Sequence, residues 1–146
     1  MAQGSQLMMV LIDTTVWIDF FAGRELPPVA VLERLIKDRE DICICGIILT
    51  EVLQGIRGKG EFRKTKELFN AMIFLPMPYS VFLFAAEVYR TLRRKRITIR
   101  NSVDCMIASV AIENGIMLLH NDRDFVPIEK HFDLKVLTPK VFQNEG

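Results

Sequence analysis

Short apolar runs alternate with helical patterns from one end of the chain to the other. MMVLI (8–12) has the length and composition of a buried strand, and ICIC (42–45), MIFLPM (72–77), IMLL (116–119) and LKVL (134–137) repeat the type. TTVWIDFFA (14–22) predicts a short helix ended by Gly23, and Val29, Leu32, Leu35 and Ile36 share one face of a helix over 28–39. Further helices are expected over 47–57, 62–71, 79–95 and 103–114, with a short one near 127–132. GIRGKG (55–60) closes the third helix, RITIR (96–100) breaks the pattern, Ser102 is the expected N-cap of 103–114, and Asn114-Gly115 its stop. Strands alternating with helices imply an α/β fold, a three-layer α/β/α sandwich around a mainly parallel central sheet. Nothing between 1 and 146 resembles a repeat or linker, so one domain is expected, with 1–7 as a disordered leader and Met8 or Met9 as alternative starts.

The pattern is informative where polar residues interrupt it. Asp13 ends MMVLID, and Asp122 stands three residues beyond IMLL, so both are expected at carboxyl ends of strands, where open α/β sheets form their ligand crevice. Either one alone could be a helix cap. Glu51 is i+4 from Ile47 and i+3 from Ile48, on the apolar stripe of its helix, where a carboxylate is costly unless paired or metal-bound. Asp104 lies in the first turn of a helix whose packed face is Val103, Met106, Ile107, Val110 and Ala111. If the four converge, two carboxylates about 4 Å apart repel by about 4 kcal/mol at an effective dielectric near 20. The cluster would then take up protons or capture a hard cation. An all-oxygen set without a Cys/His group selects Mg²⁺ or Mn²⁺, ions suited to in-line displacement at a phosphodiester.

Composition narrows the picture without changing it. The chain is half apolar and a quarter charged, with a net charge of +1, so any basic surface must be local. Cys43, Cys45 and Cys105 are odd in number and lie in apolar segments, which predicts buried free thiols rather than a disulfide framework. No apolar run reaches the length of a membrane span, and the N-terminus has no basic region before Asp13, so a cytoplasmic location is expected. GIRGKG lacks the glycine order and the Lys-Ser/Thr pair of a phosphate-binding loop. Trp17, Phe20 and Phe21 are expected as core or dimer contacts. The run RTLRRKRITIR (90–100) brings Arg93, Arg94, Lys95, Arg96 and Arg100 shortly before Asp104, as either a solvated helix end or a place for RNA phosphates.

LIDTTVWIDFF, LTEVLQG and RNSVDCMIASVAIENGIMLLHNDRDF, in this order and spacing, resemble the PIN-domain ribonucleases, and within them the VapC-type toxins of toxin–antitoxin pairs. The resemblance runs from about Met9 to Thr138. It implies a Mg²⁺- or Mn²⁺-dependent endoribonuclease with Asp13, Glu51, Asp104 and Asp122 as its catalytic and metal-holding acids. It also implies a homodimer and a VapB-type antitoxin that covers the active site and alone contacts operator DNA. Thr15 stands where many relatives have Ser, and His120 where Thr is frequent; Asp124 is the alternative fourth acid. Thr15, Asn121 and Asp124 are the candidates for orienting the acids. Two other readings remain at this point. One is a non-catalytic RNA- or protein-binding module on the same scaffold. The other is a phosphoacceptor receiver domain, which would want an acidic pair and a mid-sheet acceptor Asp that neither ICIC nor MIFLPM supplies.

Overall fold

Strand β1 (Met9–Ile12) opens the fold, with Val10, Leu11 and Ile12 fully enclosed and Met9 exposed at its start. The computed structural model describes residues 8–139, so the leader expected at 1–7 lies outside the described residues. After β1 come helices α1 (Thr14–Phe21) and α2 (Pro27–Lys37), then β2 (Asp41–Cys45), α3 (Gly46–Gln54), α4 (Lys59–Asn70) and β3 (Ile73–Leu75). The long helix α5 (Tyr79–Arg94), α6 (Ser102–Asn114), β4 (Met117–Leu119) and α7 (Phe125–His131) complete the order.

The four strands form one parallel sheet in the order β3-β2-β1-β4. Parallel strands need helical crossovers, and those crossovers are right-handed in nearly all sheets. From β1 to β2 to β3 the chain moves one way across the sheet, which puts α1–α4 on one face. From β3 to β4 it moves back past β1, which puts α5 and α6 on the other. The packing agrees: α1 lies against α2 and α3, α3 against α4, and α5 along α6, with α7 beside both. The expected three-layer α/β sandwich is thus observed. The direction reverses between β1 and β4, and a crevice opens there beyond the strands' carboxyl ends.

Local sequence explains most boundaries. Pro27 and Pro28 open α2, where a missing N–H is harmless. Gly115, at φ +64°, closes α6 in the left-handed conformation and returns its N–H to the helix. Three expectations change. The cap of α6 is Asn101, not Ser102: its side chain accepts the Val103 N–H at 3.0 Å, and Ser102 is already helical. Helix α4 begins at Lys59, inside the segment expected to be a glycine break, because Gly58 serves as its cap. LKVL (134–137) is no strand but a single parallel bridge, Leu118 to Val136. Leu134 and Leu137 are buried at i, i+3 spacing rather than in alternation, so they fill the core without extending a ladder.

One continuous core joins both faces of the sheet, from Leu32 and Leu35 of α2 to Val88 and Leu92 of α5 and Ile107 and Val110 of α6. Cys43, Cys45 and Cys105 are free and buried within it, as expected, and burial pushes the thiols of Cys43 and Cys105 up to about 11. Trp17 is fully buried and stacks in parallel on Phe21 at 5.8 Å, with Phe20 and Phe69 edge-on. Its indole N–H donates to no acceptor among the described residues. No helix of the described residues is long and apolar enough to cross a membrane.

Candidate active site

The crevice at the β1/β4 reversal has a volume of about 440 Å³. It is lined by the carboxylates Asp13, Glu51, Asp104, Asp122 and Asp124, and by Thr14, Thr15, Arg100 and Asn101. All four acids expected from the sequence therefore meet in one place, together with the alternative, Asp124. Larger space exists elsewhere, notably about 520 Å³ over the α1–α2 turn, but its only acids are Glu25 and Glu33.

Each carboxylate is placed by a different element. Asp13 follows β1, and its N–H continues the ladder by donating to the Leu119 carbonyl of β4 at 2.9 Å. It is also the N-cap of α1: one carboxylate oxygen accepts the Thr15 N–H at 3.1 Å and the Thr15 hydroxyl at 2.5 Å. Glu51, midway along α3, accepts the Thr14 hydroxyl at 2.6 Å. Asp104 stands in the first turn of α6 and accepts no hydrogen bond among the described residues. The loop after β4 supplies the other two. Asp122 accepts the Asp124 N–H at 2.9 Å, while its own N–H donates to His120 Nδ1 at 3.1 Å. His120, packed against the Phe125 ring at 4.8 Å, thus accepts at Nδ1, and burial holds its pKa below the ordinary value.

The electrostatics are those of a site short of positive charge. Asp13 is 2% exposed, and burial raises its pKa from 3.8 to about 6 against the opposing bonds from Thr15. Asp104 rises to about 7, first through burial and then through repulsion by Asp122, Asp13, Asp124 and Glu51. Among the described residues only Arg100 answers this charge. Its guanidinium reaches Asp124 at 3.0 Å and Asp122 at 3.6 Å from an exposed position. Asp104, Asp122 and Asp124 each offer an oxygen, all within 4.8 Å of one another, a spacing that one divalent ion can bridge. An all-carboxylate donor set fits a hard cation, and fits zinc or copper poorly.

Other sequence candidates fall differently. Thr15 receives the Asn121 N–H at 3.1 Å, and Asn121 Nδ2 donates to Asp19 at 3.2 Å, so both help hold the loop after β4 against α1. Arg93, Arg94, Lys95 and Arg96 do not line the crevice. Arg93 lies 5.7 Å from the Tyr89 ring centroid, and Arg94 contacts the Thr91 hydroxyl. Thr14, Asn101 and buried Asp19, paired with the exposed Arg24 at 2.6 Å, were not singled out from the sequence. The doublet Thr14-Thr15 behind Asp13 was the available signal for the first.

A parallel sheet with carboxylates gathered at its topological switch defines an α/β domain with an acid-lined crevice suited to a divalent cation. The chain belongs to the PIN-domain family, whose model matches residues 10–130. It is 33% identical over 129 residues to a VapC ribonuclease of Mycobacterium bovis and to ribonuclease VapC11 of Mycobacterium tuberculosis, covering 87% of this chain and 96% of each relative. Among solved structures, a toxin–antitoxin complex from Klebsiella pneumoniae superposes with a TM-score of 0.70 at 20% identity, over 89% of this chain and 97% of that one. VapBC2 from Rickettsia felis, bound to a DNA fragment from its promoter, gives 0.69 at 22%, over 89% and 98%.

Proposed function

We propose that this protein is a Mg²⁺- or Mn²⁺-dependent endoribonuclease, the toxin of a VapBC-type pair, acting in the cytoplasm. The observation that carries the reading is the meeting of five carboxylates in the crevice between β1 and β4. Relatives of one-third identity that are named ribonucleases support the choice of RNA. A non-catalytic module would have no use for an acidic set this complete and this strained by mutual repulsion.

Asp104, Asp122 and Asp124 would hold the ion, with Asp13 completing the acidic wall. A divalent ion there supplies Lewis-acid polarisation of the phosphodiester and activation of water. The chain does the rest. Thr15 and Thr14 fix Asp13 and Glu51, so the two acids need no reordering when substrate arrives. Glu51, with one oxygen still free of partners among the described residues, would take the proton of the attacking water. Water adds to phosphorus, the P–O3′ bond breaks in line, and the products are a 3′-hydroxyl and a 5′-phosphate. Asp122 and Asp124 are not alternatives in this arrangement; both serve.

The same reading includes a homodimer and a small VapB-type antitoxin protein that closes the crevice and alone carries contacts to operator DNA. Exposed Phe74, Tyr79, Phe82 and Leu83 offer an apolar surface for pairing. Purified protein freed of antitoxin should cut single-stranded RNA with Mg²⁺ or Mn²⁺ and stop on chelation. Asp104→Asn should reduce the rate by more than the ten- to about hundredfold typical of a group one step removed from a metal. Cleavage that persists in excess chelator, or in Asp104→Asn, would sink the metal-nuclease reading.

A further inference from the structure

The crevice that should receive a polyanion is itself anionic, so RNA must be drawn in by charge held elsewhere. Besides the run at 90–100, one concentration of cations lies beyond the far end of α3. Residues 57–66 carry Arg57, Lys59, Arg63, Lys64 and Lys66 against a single acid, Glu61, a net +4 in a chain of net +1. None of these five cations forms an ion pair among the described residues. Arg57, Lys59, Arg63 and Lys66 line one concavity of about 410 Å³, and Phe62, 41% exposed, opens into it beside Ile56. Four like charges around one hollow repel each other unless an anion sits between them.

We propose that this concavity is a second RNA-binding site, in which the four cations hold backbone phosphates and Phe62 stacks on a base. The proposal rests on RNA being the substrate, the reading argued above. Aromatic rings interleaved with cations are the composition that single-stranded nucleic acid calls for, since every base presents a π-face. An acidic protein segment would satisfy the charges but has no particular need of the exposed ring. Glu51 and Arg57 are six residues apart, which limits the two sites to about 20 Å. That is the length of about six stacked nucleotides. One strand could therefore lie in both, with the acids at the cut and the cations gripping its flank. The helix α4 presents these residues because it starts at Lys59, which brings Lys59, Phe62, Arg63 and Lys66 onto adjoining faces at i, i+3, i+4 and i+7.

The test measures binding without cleavage. A labelled single-stranded RNA of mixed sequence, about 20 nucleotides long, is titrated in chelator against Asp104→Asn protein at several salt concentrations. Adding Arg57→Gln, Lys59→Gln, Arg63→Gln and Lys66→Gln should weaken binding at least about tenfold at low salt. It should also flatten the slope of log K on log salt by about 0.7 for each phosphate that the protein ceases to neutralise. Phe62→Ala should lower affinity about five- to hundredfold and leave the slope unchanged. If the quadruple variant fails to fold by its thermal melt, Arg63→Glu alone replaces it, with the same signs expected. Unchanged affinity and slope overturn the proposal. So does a fall from dimer to monomer in light scattering with RNA binding intact, which would assign the hollow to protein contacts. Failure of the parent chain to cut RNA with Mg²⁺ would instead strike the nuclease reading, because binding here is measured with neither metal nor turnover.

Discussion

Asp104 is the residue on which most of the site's tension rests. Its carboxyl is raised from the ordinary 3.8 to about 7, and that of Asp13 to about 6. Without metal, the unfolded chain releases these protons near pH 4 while the folded protein keeps them until near neutrality. Raising the pH through that window therefore favours unfolding, and the stability present at about pH 4 is lost as the pH approaches 7. Asp104→Asn removes the larger share. In chelator its melting temperature should match that of the unsubstituted chain near pH 4 and exceed it at pH 8. Parallel melting curves across that range would show that the acid is not strained. The four acids were legible because Asp13 and Asp122 follow strands, Glu51 lies on an apolar stripe and Asp104 opens a packed helix. Thr14 and Asp19 were not, since they act through contacts 37 and 102 residues away, to Glu51 and Asn121. Only a folded chain makes such pairs visible.

At the scale of elements, α6 carries Asp104 into the site, and Asn101 fixes where α6 begins. Asn101→Ala should cost about 1 kcal/mol, the usual loss for an N-cap, as a fall in the urea midpoint without a change in slope. Because the frayed turn contains Asp104, divalent-ion affinity should fall with it. Asn101→Ser restores a capping oxygen and should recover both. An affinity unmoved by Asn101→Ala would uncouple the cap from the site. Helix positions were readable from apolar spacing, and errors gathered at their ends. Asn101 and Ser102 are both good caps, and only the observed bond to Val103 separates them. Gly58 and Gly60 weakened the helical signal of α4, although Gly58 precedes the helix and Gly60 sits in its first turn. LKVL has strand composition, but its burial follows i, i+3 rather than alternation.

For the whole molecule, the sheet order could not be read from the chain, because five similar apolar runs allow many arrangements. The reversal at β1/β4 is what turns acids distant in sequence into one crevice. An ion bound there stabilises only the folded state. At a concentration about a hundredfold above its dissociation constant it should add about 2.7 kcal/mol, or roughly 10 °C in melting temperature for a chain of this size. Asp104→Asn should gain much less, and equal gains would place the ion elsewhere. The protein contains its own instrument for following this. Its only tryptophan, Trp17, is sealed among phenylalanine rings with its indole N–H unbonded among the described residues, and its backbone N–H donates to the Asp13 carbonyl at 3.3 Å. Light emitted by that ring comes from a dry, apolar setting just one helical turn from the acids. Emission should therefore lie far to the blue in the folded protein and move to the red when α1 leaves the sheet, so that fluorescence reports the integrity of the active-site helix without any added label.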